Sequence, residues 1–236
     1  MTAPVEGNRL TLLRSGTEFF PALEAAIEEA RYEIHLQTYI YADDPTGRRI
    51  SAALQRAARR GVGVFVILDG FGSKPYLGEI DRELIANGVN VLMFRPEVSR
   101  LDLGRHRLRR MHRKVAVIDA LVAFVGGINI IDDMHTPRQT PPRYDYAVRV
   151  DGPLVAGITG HARHLWSVLC WSNLESSLDV PMSARPDLAF KGHQRAAFLV
   201  RDNFRHRSDI EDAYLAAIES ANEEILIANA YFFPGR

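Results

Sequence analysis

The sequence predicts an α/β fold in which one mixed sheet carries helices on both faces. Three observations carry this reading. Apolar, β-branched runs of strand length recur along the chain as far as Val150. Amphipathic helical stretches, several stopped by glycine, alternate with them. Some strand-like runs are apolar at nearly every position, which marks strands covered on both sides. A chain of 236 residues can bury one large core or two small ones.

Taken in order, Ala25–Ala30 closes an amphipathic helix, and Glu33–Tyr41 follows as a strand ending in aromatics. Arg48–Arg60 is a helix stopped by Gly61, and Val62–Leu68 is a buried strand ending at Asp69-Gly70. Asp81–Asn87 is a helix stopped by Gly88, and Val89–Phe94 is a strand. Val115–Ile118 and Leu121–Val125 read as two buried strands joined by a tight turn at Asp119-Ala120. Thr136–Arg143 is a loop, Tyr144–Val150 is strand-like, and Pro153–Trp171 is a helix after a Gly-Pro break. Ser172–Gln194 is polar, contains proline and reads as a linker.

Composition is that of an ordinary globular protein, with 47% hydrophobic and 25% charged residues. The formal net charge is zero, so no global field selects nucleic acid or an anionic surface. Met1–Leu10 lacks a cationic-then-apolar leader, and no apolar run approaches the roughly 18 residues that span a bilayer. Cys170 stands alone, which excludes an internal disulfide, fits a reducing cytoplasm and reads as a small buried side chain near Trp166 and Trp171.

The chemistry concentrates in His112-Arg113-Lys114, with Asp119 beyond it and Gly126-Gly127-Ile128-Asn129 shortly after. Alternate side chains on a strand share a face, so His112 and Lys114 project together and Arg113 projects the other way. The chain uses 3 Lys against 26 Arg, so a lysine in this arginine-rich stretch suggests a need for a compact point charge rather than a planar fork. An imidazole beside an ammonium at a strand end is suited to hold and attack a phosphate; the plain alternative is a solvated strand end. The other histidines show no metal-ligand spacing, and His161 and His164 read as helix-face residues, so neither metal nor cofactor is expected.

His112, Lys114, Asp119, Gly126, Gly127 and Asn129 together resemble the signature of the phospholipase D superfamily, H-x-K-x4-D with a Gly-Gly-x-Asn tail. More narrowly, Glu6–Asn8, Thr38–Tyr41, Leu68–Ser73, Arg109–Lys114, Asp145–Val150 and Ala228–Pro234 resemble bacterial cardiolipin synthases that lack an N-terminal membrane anchor. The resemblance implies a phospholipase D-like α/β/α sandwich and phosphodiester exchange through a phospho-histidine. It groups His112, Lys114 and Asp119 as catalytic, with His112 as the nucleophile and Lys114 on the phosphoryl oxygens. Within that group, Asp119 is expected at the hairpin turn, facing away from phosphate. Asp145, 33 residues after His112, is the candidate to orient the imidazole, its alternative being a solvated strand-end carboxylate. Asn129 donates to phosphate or caps the next helix. The substrate implied is a phospholipid such as phosphatidylglycerol, and the expected location is the inner face of a bacterial membrane.

Arg100–Lys114 holds seven cations against one acid, with Leu101, Leu103, Leu108 and Met111 interleaved. Arg105, Arg107, Arg109 and Arg110 are the candidate membrane contacts, resting on anionic headgroups. The same pattern could meet a nucleic-acid backbone or solvent.

Ala25–Ala30 recurs as Ala216–Ala221, 191 positions on, and Glu33–Tyr41 matches Glu224–Phe232 in character. Residues 1–171 are therefore expected to form a first domain, 172–194 a linker and 195–236 the truncated start of a second copy. The same offset places a second His112 at position 303, beyond Arg236. The leading expectation is the N-terminal part of a two-motif phosphatidyltransferase, completed by a second motif in cis. The rivals are a one-motif phosphodiesterase dimer pairing two His112 side chains, and an inactive lipid-binding half.

Overall fold

The structure is a computed structural model that describes residues 3–94, 110–136, 140–173, 182–201 and 208–227. Val5–Ala196 forms one compact unit, and the described residues after Ala196 belong to a second. The first unit is built on β1 (Val5–Arg14), α1 (Ser15–Glu29), β2 (Glu33–Thr38), α2 (Pro45–Arg59) and β3 (Gly63–Asp69). There follow α3 (Ile80–Ala86), β4 (Asn90–Phe94), β5 (Val115–Ile118), β6 (Val122–Gly126), β7 (Tyr146–Asp151), α4 (Leu154–Asn173) and β8 (Gln194–Ala196). The eight strands make one sheet in the order β4-β3-β2-β5-β6-β7-β1-β8. β2, β3 and β4 run parallel, and every other neighbouring pair is antiparallel.

Helices cover both faces, as the strand composition predicts. Leu23 and Ile27 of α1, Ile50 and Leu54 of α2 and Leu84 of α3 pack on Ile34, Leu36, Val64, Val66, Ala116 and Phe124. On the other face Trp166, Leu169 and Cys170 of α4 pack on Phe65, Ile67, Leu92 and Met111. Each such side chain contributes about 1.5–3 kcal/mol when fully buried. Cys170 thus lies in the core beside Trp166, whereas Trp171 is 82% exposed. His161 and His164 lie on the exposed face of α4.

Several boundaries shift from the sequence reading for local reasons. α2 begins at Pro45 rather than Arg48, because the Asp44 carboxylate accepts the Gly47 N–H and Pro45 suits the first turn. β1 carries no strong apolar run and is missed by pattern alone, yet it pairs with β7 along six residues. Its Asn8 is fully buried and accepts the Leu154 N–H, capping α4. The expected linker does not run free along its whole length. Ala184 is buried, its carbonyl accepts from Arg163, and β8 pairs with β1, so the later part of that segment belongs to the first unit.

In the second unit α5 (Asp209–Ser220) ends as α1 does. The Ala30 N–H donates to Ile27 O and the Ala221 N–H to Ile218 O, each at 3.3 Å. The two capping residues share nearly the same extended backbone, φ −59° ψ 138° and φ −70° ψ 133°.

Candidate functional site

The β5–β6 hairpin separates the motif into two ends. Asp119 and Ala120 both adopt left-handed φ values, 53° and 54°, at the centre of a turn that the Leu121 N–H closes on Ile118 O at 3.0 Å. Asp119 is 6% exposed, and its carboxylate accepts the N–H groups of Arg31 (2.8 Å), Tyr32 (2.8 Å) and Glu33 (2.9 Å). It therefore ties the turn to the joint between α1 and β2. Lys114 sits at the other end of β5, about 17 Å away by strand rise. Asp119 thus belongs to the motif in sequence but lies at the opposite end of β5 from His112 and Lys114.

The end of the sheet that carries His112 and Lys114 gathers the carboxyl ends of parallel β2 and β3, the entrance of β5, the exit of β6 and the entrance of β7. Lys114 is 7% exposed, with its Nζ 3.1 Å from Nδ1 and 3.0 Å from Nε2 of His112, while the His112 ring is open to solvent. Arg113 points the other way, donating to Gln37 Oε1, and Gln37 in turn donates to Ala162 O of α4. Tyr39, just past β2, covers the pair: its ring centroid lies 4.8 Å from that of His112 and 5.3 Å from Lys114 Nζ.

Burial pulls the Lys114 pKa down to about 8, against the opposing pull of Asp145 and Asp69. Burial and then the Lys114 charge lower the His112 pKa, which Asp69 and Asp145 partly offset. A lowered His112 pKa favours the neutral imidazole, the form with a nucleophilic lone pair.

Asp145 faces the pair through space, with no hydrogen bond joining it to the His112 ring; Oδ1 accepts the Tyr146 N–H instead. Gly127 makes room for it, since a Cβ there would fall 2.2 Å from Asp145 Oδ1. Asn129 accepts the Ile40 N–H at 3.0 Å through Oδ1, which leaves its amide N–H groups uncommitted among the described residues. Arg110 lays its guanidinium 3.9 Å over the Phe71 ring. Arg105, Arg107 and Arg109 lie outside the described residues.

Asp69 and Tyr39 were not singled out by sequence pattern. Both fall within stretches that carry the family resemblance, Thr38–Tyr41 and Leu68–Ser73, but neither is given a role there, and Asp69 otherwise reads as a strand end followed by glycine. The signal that could have found it is its place at the carboxyl end of a parallel strand, where α/β sheets hold their ligands.

Fold and site together define a class: a mixed-sheet α/β/α protein with an imidazole–ammonium pair at the carboxyl end of its parallel strands. The family model for cardiolipin synthase, PLD-like domain, matches residues 23–156, and the chain belongs to that family. It is 39% identical over 240 residues to cardiolipin synthase B of Salmonella typhi, covering 98% of this chain and 55% of that protein. Against cardiolipin synthase B of Escherichia coli K12 it is 37% identical over 239 residues, with the same coverage of 98% and 55%. The chain thus spans about half the length of the curated relatives it matches. Among solved structures, the phospholipase D family member Nuc of Salmonella typhimurium shares the fold, with TM-score 0.50 and 19% identity over 68% of this chain and 95% of that one.

Proposed function

We propose that this chain is the first-motif half of a cardiolipin synthase-type phosphatidyltransferase. The observation that carries the reading is the buried Lys114 ammonium held against the open His112 ring. The neutral His112 imidazole attacks the phosphorus of a phosphatidyl diester, forming an N–P bond as the P–O bond to the departing alcohol breaks. The leaving alkoxide takes its proton from the histidine of a second motif, beyond this chain. In the second step that histidine accepts the proton of the incoming hydroxyl, whose oxygen attacks phosphorus as the N–P bond breaks and the imidazole is restored. Lys114 and the Asn129 amide neutralise the phosphoryl oxygens. Asp145 favours the cationic ring of the phospho-histidine through its charge.

The substrate proposed is phosphatidylglycerol, met at the inner face of a bacterial membrane. No helix among the described residues is long and apolar enough to cross a bilayer, and the Arg105–Arg110 segment would meet anionic headgroups. The matched ends of α1 and α5 support reading the residues after Ala196 as the start of a second copy. Incubation with phosphatidylglycerol vesicles in EDTA tests the proposal, using this chain, a version extended through the second motif, and His112→Ala of each. Cardiolipin from the extended chain and not from its variant is the expected result. Product from this chain alone would favour a one-motif dimer. Absence of product from every version would overturn the transferase reading.

A further inference from the structure

One buried carboxylate at the site has no role in the chemistry above. Asp69, the last residue of β3, is 1% exposed. Its Oδ2 accepts the Met111 N–H at 2.7 Å, and its Oδ1 accepts the N–H groups of Phe71 (3.0 Å) and Gly72 (2.9 Å). Among the described residues, these bonds place three backbone amides around the carboxylate.

Each bond leads to a part of the site. Met111 immediately precedes His112, and its side chain is locked in the α4-side core by Trp166, Leu169 and Cys170. A fixed Met111 backbone therefore fixes where the β5 entrance starts and where the imidazole emerges. The loop that Oδ1 holds presents Gly72 and Ser73 to the end of β2. A Cβ on Gly72 would fall 2.3 Å from Tyr39 O and 2.8 Å from its ring, so the loop is pressed against Tyr39. Ser73 Oγ donates to Tyr39 O at 3.1 Å and accepts the Tyr41 N–H at 3.1 Å. The ring so placed is the one that covers His112 and Lys114.

We infer that Asp69 is the positioning residue of this site: a single buried anion that sets the backbone leading to His112 and the loop that seats Tyr39 over it. The inference deepens the reading of the site given above. It also assigns Asp69 an electrostatic duty. Among the described residues, the charged or titratable groups facing His112 are Lys114 on its own segment, Tyr39 beyond β2, Asp69 at the end of β3 and Asp145 before β7, with Arg110 close to Tyr39. Asp69 and Asp145 are the two that favour a cationic ring.

The test uses this chain with Asp69→Asn and Asp69→Glu, read by amide hydrogen exchange and by NMR titration of His112, whose signal is assigned by its loss in His112→Ala. In the unmodified chain the Met111 amide is expected to be protected. Asp69→Asn is expected to speed its exchange and move the His112 titration downward, whereas Asp69→Glu, which keeps the charge, moves the titration less. An unprotected Met111 amide in the unmodified chain overturns the inference. So does a folded Asp69→Asn variant whose His112 titration matches the parent. Should Asp69→Asn fail to fold, the parent exchange rate and the Glu variant decide. In the extended chain, Asp69→Asn should lower kcat roughly 100-fold with KM little changed, the signature of a displaced reacting group. Absence of turnover in every extended version would count against the transferase reading and leave the exchange and titration results to judge Asp69.

Discussion

Replacing Asp119 with alanine should unfold the hairpin's anchor while leaving the reacting pair intact. The carboxylate accepts three backbone N–H groups, those of Arg31, Tyr32 and Glu33. The Glu33 amide is buried, and stranding it costs about 1–3 kcal/mol. The Arg31 and Tyr32 amides are partly exposed and regain water, so losing their bonds costs about 1 kcal/mol each. Alanine at a left-handed φ of 53° adds about 1 kcal/mol. The expected loss is therefore about 5 kcal/mol, measured by urea unfolding monitored by circular dichroism. Asp119→Asn, which tolerates that backbone and keeps an acceptor, should lose about half as much. The His112 NMR titration should match the parent in whichever variant stays folded, because Asp119 stands at the far end of β5. An alanine variant as stable as the parent, or one that moves the His112 titration, would refute the assignment of the motif carboxylate to structure.

Three further outcomes are expected. Gly127→Ala should push Asp145 away from the pair, and since Asp145 raises both pKa values, the His112 and Lys114 titrations should both move down in NMR. Lys114→Met should raise Tm at pH 7. The parent holds a desolvated ammonium whose folded pKa of about 8 lies below its ordinary 10.5, so the unfolded chain binds the extra proton and the penalty fades as pH rises between those values. A pH series of melts in which the gain persists unchanged above pH 10.5 would contradict this. Burial works against the Glu33 carboxylate, but the His35 and Arg163 contacts outweigh it and hold its pKa below the usual range. Arg163→Ala strands that buried charge and should cost about 3–5 kcal/mol in urea unfolding at pH 7, a cost that shrinks as acid protonates Glu33.

The likeness of α1 and α5 shows how far pattern carries and where it stops. In α1 the positions of Phe19, Leu23, Ala26 and Ile27 are buried. Their counterparts 191 positions on are Ile210, Tyr214, Ala217 and Ile218, so the apolar periodicity is preserved. Yet no residue of α5 is buried, and Tyr214 is 68% exposed. Periodicity is a property of neighbouring residues and is legible in one dimension. Burial is a property of what folds over the helix, and no local pattern contains it.

The same division holds at the site. Sequence by itself determined the α/β class, the β5–β6 hairpin with its Asp119-Ala120 turn, and the strand alternation that sends His112 and Lys114 one way and Arg113 the other. These follow from the two-residue period of a strand and from turn chemistry, both local. Tertiary structure added Asp69 to the site, and it set Asp145 near the pair without a hydrogen bond to the ring. Asp69 and Asp145 lie 43 and 33 residues from His112 in the chain, and the sheet order β3-β2-β5-β6-β7 brings those strand ends to the same end of the sheet as His112. It also supplied the partners of Asp119, whose carboxylate holds N–H groups 86 to 88 residues away in the chain.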